Sequence, residues 1–318
     1  FPYTTLFRSS YIGDVIIPNS VNYNGVSFEV TAIGSLAFYT CEELTSVTIA
    51  NSVTRIDYYA FYGCTSLSNI DIPNNISYVG NTAFDNTQWL DNQQDGVVYV
   101  GKVAYKYKGT MPEGTSLTFK EGTLGIASGS FYNCKGLTTI DIPNSVKYIG
   151  GAAFGACTGL NSVDIPNSVI EIEDNAFNSC TSLSNIIIPN TVKYIGYSAF
   201  GGTAWLNNQP NGLIYAGKVA YLYKGSMPQG TRIDLENGTL GISSCAFSSC
   251  TNLVSITIPN SVTTIGEDAF SGCTGLSTIT IPNSVTSLRY GVFRNCSNLT
   301  NISLSNSIKE INSSLCYG

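Results

Sequence analysis

The chain has 318 residues, 43% of them hydrophobic and only 11% charged, with a formal net charge of −6. That balance excludes a disordered chain and leaves no cluster of Lys and Arg for nucleic acid, and no apolar run approaches the ~18 residues of a membrane span. Histidine is absent, which removes Ser-His-Asp and Cys-His nucleophiles, His-ligated metals and imidazole acid–base chemistry together.

The first nine residues, FPYTTLFRS, resemble a translation of a common short-read sequencing adapter. Residues 1–10 are therefore expected to be an artefact with no part in the fold, and a chain that also stops inside a repeat, at NSSLCYG, is expected to be a fragment at both ends. From residue 11 onward one sentence recurs. It reads CTSLSNIDIPNNI at 64–76, CKGLTTIDIPNSV at 134–146, CTGLNSVDIPNSV at 157–169, CTSLSNIIIPNTV at 180–192 and CTGLSTITIPNSV at 273–285. A marker Phe falls at 38, 61, 84, 131, 154, 177, 200, 247, 270 and 293, so the steps are 23 residues except for two of 47. Each long step hides a variant coil, and one further step of 23 lands on Cys316. A fixed period of this size is the signature of a solenoid.

Within one period the apolar positions are fixed. In the coil starting at Cys134 they are Leu137, Ile140, Ile142, Val146, Ile149, Ala153 and Phe154. The alternation from Leu137 to Ile142 predicts a strand with those residues inward. Pro143, lacking an N–H, ends it, and Asn144 and Ser145 make the turn. One such coil buries too little to order itself, so it is stable only against its neighbours. About twelve coils at ~4.8 Å spacing predict a rod or shallow arc roughly 55–60 Å long.

The two variant coils contain TQWLDNQQDGVVYVGKVAYKYKGTMPEGT at 87–115 and TAWLNNQPNGLIYAGKVAYLYKGSMPQGT at 203–231, 116 residues apart. Y-x-G-K-V-A-Y predicts a β-hairpin with Gly101–Lys102 and Gly217–Lys218 at the turns. Both tryptophans, Trp89 and Trp205, lie here. One interpretation is a pair of aromatic-and-lysine ligand patches, built on Tyr99 and Tyr215 with Lys102 and Lys218 at the tips. The other is that these coils lack the usual AFxxC core and refill it with Trp and Tyr. Alternation along Val103, Tyr105 and Tyr107 favours packing, leaving Lys102 and Lys218 as the better binding candidates.

Repeats of the form AFxxCxxLxxIxIPNSVxxIG resemble the BspA-like leucine-rich repeat family of microbial surface proteins, over essentially residues 11–318. The opening stretch IIPNSVNYNGVSFEVTAIGSLAF (16–38) fits as well, since the family's first coil typically carries a short hairpin insertion. The resemblance implies a leucine-rich-repeat superhelix with short parallel strands, turns and little regular helix, in a single array over 11–318. It also implies a secreted or surface-attached protein, often adhering to host proteins or other cells.

Eight cysteines sit three residues after a marker Phe, and Thr87 and Thr203 take that slot in the variant coils. A ladder has no natural pairing partner, so these are taken as free, buried thiols acting as small hydrophobes rather than disulfides or a zinc site. Asp71, Asp141, Asp164 and Asp234 recur at one outward strand position. Asp141 and Asp164 stand in adjacent coils, which repeat register explains without a catalytic dyad; they are kept as candidate partner-binding residues on a solvated face. No catalytic, cofactor-binding or metal-binding residue is expected. The sequence predicts a non-enzymatic interaction module for a macromolecular partner, protein or glycan, with no nucleic acid and no membrane insertion; a rigid structural spacer is the alternative.

Overall fold

The structure, a computed structural model, describes residues 11–286, 288–308 and 315–316. The expected artefact at 1–10 lies outside the described residues. So do residues 287, 309–314, 317 and 318.

The chain winds into a solenoid of about twelve coils of ~23 residues, with almost no helix. Each coil has three sides. The first is a strand such as Leu137–Asp141, in which Leu137 and Ile140 are buried and Thr139 and Asp141 exposed. Parallel pairing sets each strand in register with the next, for example Thr139 with Ser162 and Ile140 with Val163. Pro143 closes the strand, and its carbonyl accepts from the Val146 N–H at 3.1 Å to make the corner. A two-residue strand, here Tyr148–Ile149, forms the second side and pairs with Glu171–Ile172 of the next coil.

The third side is a ladder of turns. Ala152 and Ala156 adopt left-handed conformations, φ 50° and 59°, a cost for residues with a Cβ. In exchange, the N–H groups of Ala152, Phe154 and Ala156 reach the carbonyls of Asp174, Ala176 and Asn178 in the following coil at 2.7–2.8 Å. The same pair of left-handed positions recurs along the chain, and Cys245 occupies one of them (φ 57°). That explains why this cysteine is off the ladder. The marker phenylalanines point inward and stack: Phe131–Phe154 at 5.3 Å and Phe154–Phe177 at 5.2 Å, with planes within 13°. The period continues to the end, because Phe293 N–H donates to the Leu315 carbonyl and so places Cys316 in the Phe position. In the first coil, Ser20–Tyr23 and Val26–Glu29 form the expected antiparallel hairpin around Asn24–Gly25, both left-handed.

The expected rod or shallow arc gives way at the two variant coils. The hairpin strands Gly96–Val100 and Val103–Lys108 pair antiparallel, so Gly96–Val100, and not the preceding short strand Tyr78–Val79, flanks Val103–Lys108. The hairpin Gly212–Ala216 with Val219–Lys224 interrupts the second-side sheet in the same way. At each break the stack turns inward, and coils that are not sequential neighbours meet. The Tyr78 and Tyr148 rings lie 5.4 Å apart. Beyond the second hairpin, Ser243 Oγ and Ser244 N–H both donate to the Ile195 carbonyl, at 2.6 and 3.1 Å. Gly125 and Gly241 sit under these contacts. A Cβ at Gly125 would meet the Tyr148 ring at 2.1 Å, and one at Gly241 the Lys193 carbonyl oxygen at 2.0 Å. The core accordingly divides into three apolar clusters, over 17–127, 104–221 and 220–315.

Candidate binding surfaces

The two variant coils are built alike. Thr87 and Thr203 are fully buried and cap the helical turns Gln88–Asp91 and Ala204–Asn207, each hydroxyl accepting from the N–H three residues on. At the other end, the Lys108 ammonium donates to the Asp91 and Gln93 carbonyls. Lys224 does the same to Leu206, Asn207 and Gln209. A cation on the last carbonyls of a helical turn is where the backbone partial charge favours it.

These coils lack the Ala-Phe turn, so the N–H of the preceding marker Phe has no carbonyl above it. A tyrosine hydroxyl takes that place: Tyr105 Oη accepts from Phe84 N–H at 2.9 Å and Tyr221 Oη from Phe200 N–H at 3.0 Å. Trp89 and Trp205 pack against the same phenylalanines, at 5.1 and 5.3 Å between ring centroids. The aromatic residues therefore refill the core. Strict alternation is broken by a register shift between Ala104 and Lys106. Tyr105 enters the first apolar cluster while Tyr107 packs against the second, and Lys106 forms an ion pair with Asp85.

The candidate tyrosines are braces as well. Tyr99 Oη accepts from Lys120 N–H at 2.9 Å, with the Lys120 ammonium 4.4 Å over its ring; Tyr215 Oη accepts from Glu236 N–H at 3.0 Å. Lys102 does not stand on a projecting tip. Its N–H donates to Ile76 and its carbonyl accepts from Leu124, so the turn is a rung of the stack. The Lys102 side chain is exposed and Lys218 half-buried. Asp141 and Asp164 are exposed on neighbouring strands. They extend a row in which Thr48 is in register with Asp71, Thr118 with Asp141 and Asp164 with Ile187.

A cavity of about 510 Å³ lies at the corner between the short strands and the turn ladder, on the side toward which the stack bends. Its walls run from Tyr58 and Tyr59 near one end of the chain to Arg289 near the other. Four carboxylates, Glu171, Glu173, Asp174 and Glu267, share it with the Arg289 guanidinium and the Tyr194 ring. Arg289 lies 3.8 Å over the centre of Tyr194, and Tyr194 Oη is 3.1 Å from Ser244 Oγ. Glu173 Oε2 accepts from Gly151 N–H at 2.9 Å and Ser128 Oγ at 3.2 Å. Burial nonetheless raises its pKa above the ordinary carboxylate value, because loss of hydration outweighs those two bonds.

The family profile described as "BspA type Leucine rich repeat region (6 copies)" matches residues 4–110, 99–211 and 219–318. The chain belongs to the BspA-type leucine-rich repeat family. Among solved structures, this BspA-type chain is similar to a leucine-rich repeat protein from Bacteroides ovatus, at 26% identity, over 93% of this chain and 82% of that one, with a TM-score of 0.36. It is similar to a leucine rich repeat protein of T. pallidum at 22% identity, over 83% and 77%, TM-score 0.28. It is also similar to a leucine rich cell surface protein from Faecalibacterium prausnitzii at 21% identity, over 92% and 88%, TM-score 0.25. No curated protein matches it.

The cysteine ladder of this BspA-type array is made of free thiols, with a refinement to their role. Cys64, Cys157, Cys180, Cys273 and Cys296 each donate to the carbonyl of the previous coil's marker Phe, at 2.9–3.1 Å. They are hydrogen-bonding rungs as well as small apolar fillers. The cavity carries no local motif: its residues lie on or just after the short strands of separate coils, and the bends add Tyr58 from one side and Arg289 from the other.

Proposed function

We propose that this chain is a non-enzymatic interaction module, secreted or held at a cell surface, that adheres to a protein or glycan partner. Membership of the BspA-type family supports the interaction role. The observation that carries the proposal is the outward side of the long strands, where Thr48 and Asp71, then Thr118, Asp141 and Asp164, then Asp234 and Thr257 are exposed on three separate backbone ladders. Polar groups fixed in register lose little conformational entropy when a partner docks. Residues 11–318 act as one array in this proposal, and the exposed Lys102 ammonium flanks the contact surface. Among the described residues no helix is long and apolar enough to cross a membrane.

The test is binding of immobilised matrix proteins and glycans by wild type, an Asp141→Lys/Asp164→Lys variant and a Lys102→Glu/Lys218→Glu variant, all checked for unchanged Tm. Retention by wild type with loss in the aspartate variant is expected. A panel on which wild type binds nothing favours a rigid spacer instead, and glycan turnover abolished at Asp141 or Asp164 would replace binding by hydrolysis.

A further inference from the structure

We infer that the inward cavity is a receptor for a lysine or arginine side chain presented by a basic peptide segment of a partner protein. This is a second site, separate from the strand row and independent of it.

Charge selects a cation. Four acidic residues and one arginine line an open concavity of about 510 Å³. The ion pairs formed among the described residues are Arg55–Asp57, Lys106–Asp85 and Arg294–Asp268. Glu171, Glu173, Asp174 and Glu267 take part in none of them. Carboxylates concentrated in a concave, partly dehydrated space raise the local concentration of cations.

Acidity alone would not select a side chain; the walls do. Arg289 rests 3.8 Å over the Tyr194 ring, so one wall already holds a guanidinium face-on, the geometry that cation–π attraction favours. Tyr58 lines the space and accepts a hydrogen bond from Tyr78 Oη at 2.9 Å. Tyr78 itself carries the Arg55 guanidinium 3.8 Å over its ring. Two tyrosines around this corner thus bear arginines of the chain's own, while Tyr58 and Tyr59 are 38% and 40% exposed as whole residues.

Orientation comes from Glu173. Gly151 N–H and Ser128 Oγ hold one of its oxygens, which fixes the carboxylate before any ligand arrives. Burial makes its charge costly, so a cation at the free oxygen relieves an existing penalty. The same field repels sulfated, sialylated and phosphorylated ligands.

The experiment measures fluorescence polarisation of a labelled Gly-Arg-Gly-Lys-Gly-Arg peptide on the full chain, beside the same peptide with Glu at the three basic positions. Wild type is expected to bind the basic peptide only, with affinity falling between about 0.05 and 0.5 M salt. The Glu171→Gln/Glu267→Gln variant should weaken binding about tenfold or more at unchanged Tm, and Glu267→Lys should weaken it further. Asp141→Lys/Asp164→Lys should bind as wild type does, which keeps failure here distinct from failure of the strand-row proposal. No binding by wild type, equal binding by the glutamine variant, or loss confined to the aspartate variant overturns the assignment. Displacement of the peptide by a neutral oligosaccharide reassigns the cavity to a glycan and overturns it too.

Discussion

Phe154→Ala tests the stacked core most directly. The Phe154 side chain is fully buried, with Phe131 5.3 Å away on one side and Phe177 5.2 Å on the other. Truncating a buried Phe costs ~3–5 kcal/mol. Two parallel neighbours, each pair contributing ~0.5–1.5 kcal/mol beyond area, place this one near the top, at ~4–5 kcal/mol. The backbone bond from Phe154 N–H to the Ala176 carbonyl survives the change, so the loss belongs to the side chain. Phe38 supplies the contrast: it is 9% exposed, stacks on Phe61 alone at 4.9 Å, and meets only a tilted Tyr11 on its other side. Phe38→Ala should cost ~2–3 kcal/mol. Urea denaturation followed by far-UV circular dichroism gives the totals. Because a stacked array opens coil by coil, amide exchange should show lost protection centred on the coils that carry Phe131, Phe154 and Phe177 for Phe154→Ala. A loss below ~1 kcal/mol, or equal losses at the two positions, would refute the stacking argument.

Tyr221→Phe removes the acceptor of the Phe200 N–H and should cost ~1–3 kcal/mol; an unchanged denaturation midpoint would mean water replaces the hydroxyl. Gly241→Ala should destabilise by ~1–3 kcal/mol and by more than Gly125→Ala, because its Cβ meets a backbone carbonyl and not a side chain; a Tm shift in the reverse order would count against the bend as described. Thiol labelling of native protein should reach the exposed Cys316 first and Cys64, Cys157 and Cys180 only on unfolding, since burial pushes the Cys64 thiol up to about 12 and thiolate is the reactive form. Labelling of all cysteines at one rate would contradict it. Glu173→Gln tests the desolvated carboxylate. A raised pKa means the ionised form opposes folding, so wild type should gain stability relative to the variant as pH falls from neutrality through the raised pKa; a Tm gap independent of pH would exclude that penalty.

The spacing of the repeated buried residues was legible in the sequence; the turn ladder and the thiol bonds that repeat with it were not. The 23-residue spacing located Phe38 through Phe293, and the alternation from Leu137 to Ile142 gave the inward side of the strand, because both follow from one coil stacking on an identical one. The tyrosines of the variant coils were legible as packing, yet their chemistry was not. That Tyr105 and Tyr221 substitute for a missing carbonyl becomes visible only when the neighbouring coil's Phe84 and Phe200 N–H groups are placed. Thr87 and Thr203 looked like variants of the cysteine slot, and a helical turn beginning there gave their hydroxyls a second use. The inward bend had one sequence trace, a glycine at the first position of the short strand after each hairpin, Gly125 and Gly241. Without the contact above it, a glycine there is indistinguishable from one in a loose turn.

The hairpins decide more than their own packing. A stack of equal coils curves only through the small rotation repeated between neighbours, whereas a hairpin coil adds a bend at one place. Here the antiparallel strands Gly96–Val100 and Gly212–Ala216 displace the parallel partner, and each bend is then locked by a different device. Tyr148 fills the first, against Tyr78 and over Gly125; Ser243 and Ser244 secure the second through the Ile195 carbonyl. The cavity depends on both, since Tyr58 precedes the first hairpin, Glu173 lies between them and Arg289 follows the second. Its middle is built by the uniform coils that carry Ser128, Gly151 and Glu173, while its reach to Tyr58 and Arg289 rests on the two coils that break the repeat.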